Sequence, residues 1–236
     1  MEITRKIGEV FGRCVVSLFV KSLRKKVEGF QIQYSGIQFL KEMEDRPYLL
    51  AANHIKPVER KSQESGLSQD VFVLSRIILE QTGRQPRIIS KSDNGWWSKN
   101  LFFRFWQRMC QPFGDGMSKG MGMIPIRKNP GSLNRYFLKL IESAVRENEL
   151  ILIFPEGNWY QDFSPTHKLE TGAAHLALKH NLPIVPAYVR GCDSWKPQGK
   201  IDVAFGASFK PYGKTKEEIT TEIRERITAL QKQVVQ

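Results

Sequence analysis

The sequence has few cysteines, few histidines and no long apolar run, and each scarcity removes a class of function. Its three cysteines, Cys14, Cys110 and Cys192, are odd in number and far apart, and no CxxC pair occurs. A disulfide framework is therefore excluded, and a reducing compartment is expected. None of the four histidines joins a cysteine at metal-ligand spacing, so no structural metal is expected. His175 and His180 are five apart, point from different faces of a helix, and read as ordinary surface or packing residues. The longest apolar runs, VVSLFV, YLLAA and LILIF, fall far short of the ~20 residues that a membrane span needs. Glu9 and Arg13 interrupt any apolar core at the N-terminus, which argues against a signal peptide. A GxSxG nucleophile elbow is missing too, as are RNP, KH and helix-turn-helix signatures.

Acidic residues are also in deficit. Against 36 lysines and arginines stand 24 aspartates and glutamates, a net charge of +12. Such an excess favours a polyanionic partner: nucleic acid, an anionic membrane surface or a phosphorylated substrate.

What the sequence does contain is alternation. Residues 3–27 predict a basic amphipathic helix, with Ile7, Val10, Phe11, Cys14, Val15 and Leu18 at helical spacing and basic residues gathered at its ends. Such a helix can lie in the plane of an anionic membrane. Strands are then expected at FQIQY, YLLAAN, RIIS, MIPI, LILIF, PIVPAYV and IDVAFG. Helices are expected at VFVLSRIILEQ, SLNRYFLKLIESAVREN, TGAAHLALKH and KEEITTEIRERITALQKQ, the first with Asp70 as N-cap. The pattern predicts an α/β fold, a largely parallel sheet flanked by helices. Residues 1–28 read as a membrane-contact helix and 29–236 as the α/β domain.

In open α/β sheets, ligands bind beyond the carboxyl ends of the strands. His54 stands at one such end, after YLLAAN, and Pro155-Glu156-Gly157 stands at another, after LILIF. Arg127 and Lys128 follow MIPI, where adjacent cations suit a phosphate. The segment DNGWWSKNLFFRFWQRMCQPF sets tryptophans and phenylalanines among bases, a composition that suits a core helix or a membrane-interface belt.

In this order the motifs resemble those of the phospholipid/glycerol acyltransferase family, which includes the 1-acylglycerol-3-phosphate acyltransferases. NH with a following carboxylate, IPI with basic residues, FPEG and IVPAYV carry the resemblance across residues 48–190. It implies transfer of a fatty acyl group from acyl-CoA or acyl carrier protein to a glycerolipid hydroxyl, in phospholipid biosynthesis. It also implies a peripheral setting on the cytoplasmic face of a membrane. The leading acceptor is the lysophospholipid 1-acylglycerol 3-phosphate. Glycerol 3-phosphate or a lyso-aminolipid is the alternative, and so is a non-catalytic basic binding protein of the same fold. No cofactor beyond the co-substrate thioester, and no nucleic acid, is expected.

By the same resemblance His54 is the general base, and Glu156 and Gly157 contact the acceptor phosphate. The second-motif arginine falls on Lys128, with Arg127 beside it. The chain departs from the family after FPEG, where Asn158 and Trp159 replace the usual threonine and arginine. Its larger departure is at the carboxylate. Glu59 keeps the family's separation of four intervening residues from the histidine, whereas Asp70 has fifteen intervening residues but alone precedes an apolar helix. An insertion of eleven residues would cost only about 1 kcal/mol in loop-closure entropy. Asp70 is therefore the favoured partner of His54, with Glu59 as its rival.

Overall fold

Short β-branched runs bounded by turns become strands here, and runs with apolar residues three and four apart become helices. The structure, a computed structural model, describes residues 2–12, 14, 29–58, 68–91, 116, 119–120, 122–126, 134–194 and 199–235. The chain divides into two units. One comprises Met1–Lys25 and Arg87–Glu142, the other Lys26–Pro86 and Ser143–Gln236.

The larger unit holds β1 (Gln31–Ser35), α2 (Gln38–Lys41), β2 (Tyr48–Ala52), α3 (Gln69–Thr82), β5 (Leu150–Ile153), α5 (Gly172–His180), β6 (Ile184–Arg190), β7 (Lys200–Phe205) and α6 (Lys216–Val235). Its strands lie in the order β1-β7-β6-β2-β5. Of the strand-to-strand pairings described within this unit, only β6–β7 is antiparallel. The expected α/β fold with a largely parallel sheet is what forms.

Strand β2 sits between β5 and β6, and all five of its residues are buried. That is why YLLAA reads as a continuous apolar run rather than an alternating one. Helix α6 packs on β6, β7 and α5 through Ile219, Ile223, Ile227 and Leu230, one stripe at helical spacing and all buried. Each such side chain contributes about 1.5–3 kcal/mol of transfer free energy before entropy is charged against it. Helix α3 buries Val73, Leu74, Ile77 and Ile78 in the same manner.

Helix α3 begins earlier than its sequence suggests. Ser68, extended at φ −115° and ψ 138°, is the N-cap, and Asp70 lies inside the first turn. The expectation of Asp70 as N-cap is thus corrected by two residues. The cause is that Gln69 and Asp70 are both buried and helical, so the apolar pattern begins after the helix does.

In the smaller unit, β3 (Arg87–Lys91) and β4 (Met123–Ile126) pair in parallel. Residues 2–12 form helix α1. A Cβ on Gly116 would lie 1.9 Å from the carbonyl oxygen of Arg5, so only glycine admits this approach. Glu9 of α1 also meets Lys119 at 3.2 Å. Ile3, Ile7, Val10 and Phe11 of the same helix are exposed. Helix α4 (Asn134–Arg146) starts in this unit and ends in the larger one. Among the described residues no helix is long and apolar enough to cross a membrane.

Candidate active site

Two neighbouring parallel strands deliver the site. The register pairs Leu50 with Leu152 and Ala51 with Ile153. Three residues beyond the last pair, on the same edge of the sheet, come His54 and Glu156. The backbone N–H of His54 donates to Glu156 Oε2 at 2.8 Å, extending the register into the loops. On the other side of β2, Asn53 is fully buried and pairs with the Val189 backbone of β6. Its amide donates to the Val189 carbonyl at 2.9 Å and its Oδ1 accepts the Val189 N–H at 2.7 Å.

The turn Phe154-Pro155-Glu156-Gly157 closes with the Gly157 N–H donating to the Phe154 carbonyl at 3.1 Å. Gly157 takes φ +63°, a conformation that favours glycine, and the chain then doubles back. Tyr160 consequently runs beside Ile55. Its N–H donates to the His54 carbonyl at 3.1 Å, and its own carbonyl accepts the Lys56 N–H at 2.7 Å. The Glu170 N–H donates to the Pro155 carbonyl at 2.7 Å and shuts the base of the whole loop.

His54 and Asp70 meet. Nδ1 of His54 lies 2.7 Å from Asp70 Oδ2. The same oxygen accepts the Ile55 N–H at 2.7 Å, while Oδ1 accepts the Val71 N–H at 2.7 Å and the Ser68 hydroxyl. Four donors thus match the four lone-pair sites of a carboxylate that is fully buried. The histidine itself is partly open, with its side chain 17% exposed.

Two further side chains contact the His54 ring. Phe154 stacks on the imidazole face, centroids 4.1 Å apart and planes 19° from parallel. The indole N–H of Trp159 donates to Nε2, with the two rings edge to face at 5.6 Å. Because indole nitrogen can only donate, Nε2 is the accepting nitrogen and Nδ1 carries the proton, donating its N–H to Asp70. This is the tautomer in which Nε2 can take a proton from an approaching hydroxyl.

Glu156 is buried, and its Oε1 lies 3.0 Å from Nδ1 of His167. Burial raises its pKa from the ordinary carboxylate value, although the His54 N–H and His167 work against that rise. His167 stacks on Tyr160 with ring centroids 3.7 Å apart. Sequence reasoning had no part for His167, because nothing in THKLETG signals contact with a glutamate eleven residues earlier. Trp159 showed only as a departure from a motif.

Among the anticipated site residues, the structure brings together His54, Asp70, Glu156 and Gly157. Arg127 and Lys128, just after β4, lie outside the described residues, as does Glu59. His175 is exposed on α5, as its sequence reading held.

The acyltransferase family model matches residues 31–190, well over half of the 236-residue chain, and the whole described site lies within that span. The chain belongs to the acyltransferase family. No curated protein matches it. Among solved structures it is similar to PlsC, the 1-acyl-sn-glycerophosphate (LPA) acyltransferase of Thermotoga maritima, at 16% identity and a TM-score of 0.49. That alignment covers 98% of this chain and 78% of the other.

Proposed function

We propose that this acyltransferase moves a fatty acyl group from a thioester, acyl-CoA or acyl carrier protein, to the hydroxyl of a glycerolipid, with 1-acylglycerol 3-phosphate as the acceptor. The observation that carries the reading is the 2.7 Å contact between His54 Nδ1 and a fully buried Asp70. It supports an active enzyme over a non-catalytic relative, because the fifteen residues that intervene in the sequence have not separated the pair.

In this reading Nε2 of His54 removes the acceptor's hydroxyl proton as the oxygen attacks the thioester carbonyl. Such a base typically contributes ~10²–10⁴-fold. Asp70 holds the ring and stabilises the imidazolium as it forms. The C–S bond then breaks and the thiolate recovers the proton, with no acyl-enzyme. The family resemblance assigns the acceptor's phosphate to Glu156, Gly157, Arg127 and Lys128. Arg127 and Lys128 supply positive charge, and the tight turn at Gly157 offers close backbone approach.

The reaction takes place at an anionic membrane surface, on its cytoplasmic face. Support comes from the net charge of +12 and from the exposed stripe Ile3, Ile7, Val10 and Phe11 on α1, with Lys6 exposed beside it. The test is thiol release from an acyl thioester in the presence of a panel of acceptors. Transfer to 1-acylglycerol 3-phosphate well above that to glycerol 3-phosphate or a lyso-aminolipid is expected. A preference for either of the others would replace the acceptor, and no thiol release with any of them would reject the function.

A further inference from the structure

Three groups cover both nitrogens and one face of the His54 imidazole, whose side chain is otherwise partly open. Asp70 takes Nδ1, Phe154 lies on the ring face, and the Trp159 indole N–H takes Nε2. The last contact occupies the one nitrogen that a base must offer to its substrate. We infer that Trp159 is a positioning residue that keeps Nε2 covered until an acceptor hydroxyl displaces it, so that water is not activated in its place. The inference rests on the acyltransfer reading of the site.

Its physical basis is local. The backbone on either side of Trp159 is pinned, by the Gly157 N–H on the Phe154 carbonyl and by the Tyr160 N–H on the His54 carbonyl. Uncovering the base therefore requires rotation of one side chain rather than movement of the loop. Trp159 is only half-buried, which leaves room for such a rotation. A lipid acceptor brings binding energy from its phosphate and chain to offset the lost hydrogen bond; water brings none.

The reaction being suppressed is thioester hydrolysis. Water would attack the carbonyl and pass a proton to Nε2. The C–S bond would break to release a carboxylic acid, and the departing thiolate would take the proton back. Acyl donor would be consumed without product. A neutral donor on Nε2 restrains this by about 2- to 10-fold, the range of a typical net hydrogen bond.

Two measurements on the full chain test the idea. The first is carbethoxylation by diethyl pyrocarbonate, followed histidine by histidine with peptide mass spectrometry, in wild type and in Trp159→Phe. The phenylalanine keeps a ring but has no N–H to donate. His54 should react several-fold faster in the variant, while His167, His175 and His180 react as before. Equal rates at His54, or a rise at all four histidines, would overturn the proposal.

The second is the ratio of thioester hydrolysis to acyl transfer, which should rise several-fold in Trp159→Phe; an unchanged ratio would also overturn it. Trp159→Leu repeats both measurements should the phenylalanine variant melt well below wild type. Faster carbethoxylation of His54, together with wild-type protein that consumes no thioester with any acceptor, would retain the cover and retire the acyltransfer reading.

Discussion

At the scale of single residues, Asp70 explains more than its distance from His54 suggests. An ionised carboxylate accepts hydrogen bonds and donates none, and here its four donors are His54, the next residue Ile55, and Ser68 and Val71 close to Asp70 in sequence. An asparagine in its place offers one accepting oxygen and turns an N–H2 towards donors. Asp70→Asn should therefore lower acyl transfer by on the order of 10²-fold or more. It should also cost about 1–3 kcal/mol of stability, so activity has to be read well below both melting transitions. Glu59→Gln should change turnover by no more than a few-fold. The opposite ranking of the two variants would return the partnership to Glu59.

Glu156 supplies a second test at this scale. Burial raises its pKa, so the folded chain holds that proton more tightly than the unfolded chain does. Its contribution to stability is full below the unfolded value and is lost as pH rises through the folded one. Glu156→Gln cannot titrate, and its amide can still face both the His54 N–H and His167. Thermal melts from acid to neutral pH should show the glutamine variant gaining on wild type as pH rises. A constant difference would mean that burial does not burden the carboxylate.

The contact between His54 and Asp70 was legible in the sequence because an apolar helix follows Asp70, whereas RKSQESG follows Glu59. The contact of Trp159 with His54 was not legible. It depends on the positive φ of Gly157 and on the return of Tyr160 to Ile55, and neither is written in the composition of FPEGNWY.

At the scale of elements, apolar runs located the strands within a residue or two because parallel strands buried on both faces leave an uninterrupted signal. Helix α3 was misplaced at its start because its first two residues are polar yet buried. What joins strands to chemistry is a set of small ties at their ends. Asn53 is the clearest, since no other described side chain links the end of β2 to the β6 backbone. Asn53→Ala should leave the Val189 N–H and carbonyl unpaired in a fully buried site. The expected cost is about 1–3 kcal/mol, seen as a lower denaturant midpoint at unchanged slope. A shift below a few tenths of a kcal/mol would show that β6 does not depend on this tie.

At the scale of the whole molecule, charge and exposed apolar surface carry the membrane proposal, and both were partly legible. The net charge follows from composition, but which face of α1 is exposed follows from how Gly116 admits Arg5. Binding to anionic vesicles should weaken with salt, as screening requires. It should weaken further when Ile3 and Ile7 are both replaced by serine, with the melting temperature held. Cosedimentation that is equal on neutral and anionic vesicles at every salt concentration would remove the electrostatic part. The most direct test of the central claim is acyl transfer from thioester to 1-acylglycerol 3-phosphate by wild-type and His54→Ala protein of matching fold. The account predicts transfer by wild type and a loss of at least ~10²-fold in the variant; near-normal transfer by folded His54→Ala protein would contradict it.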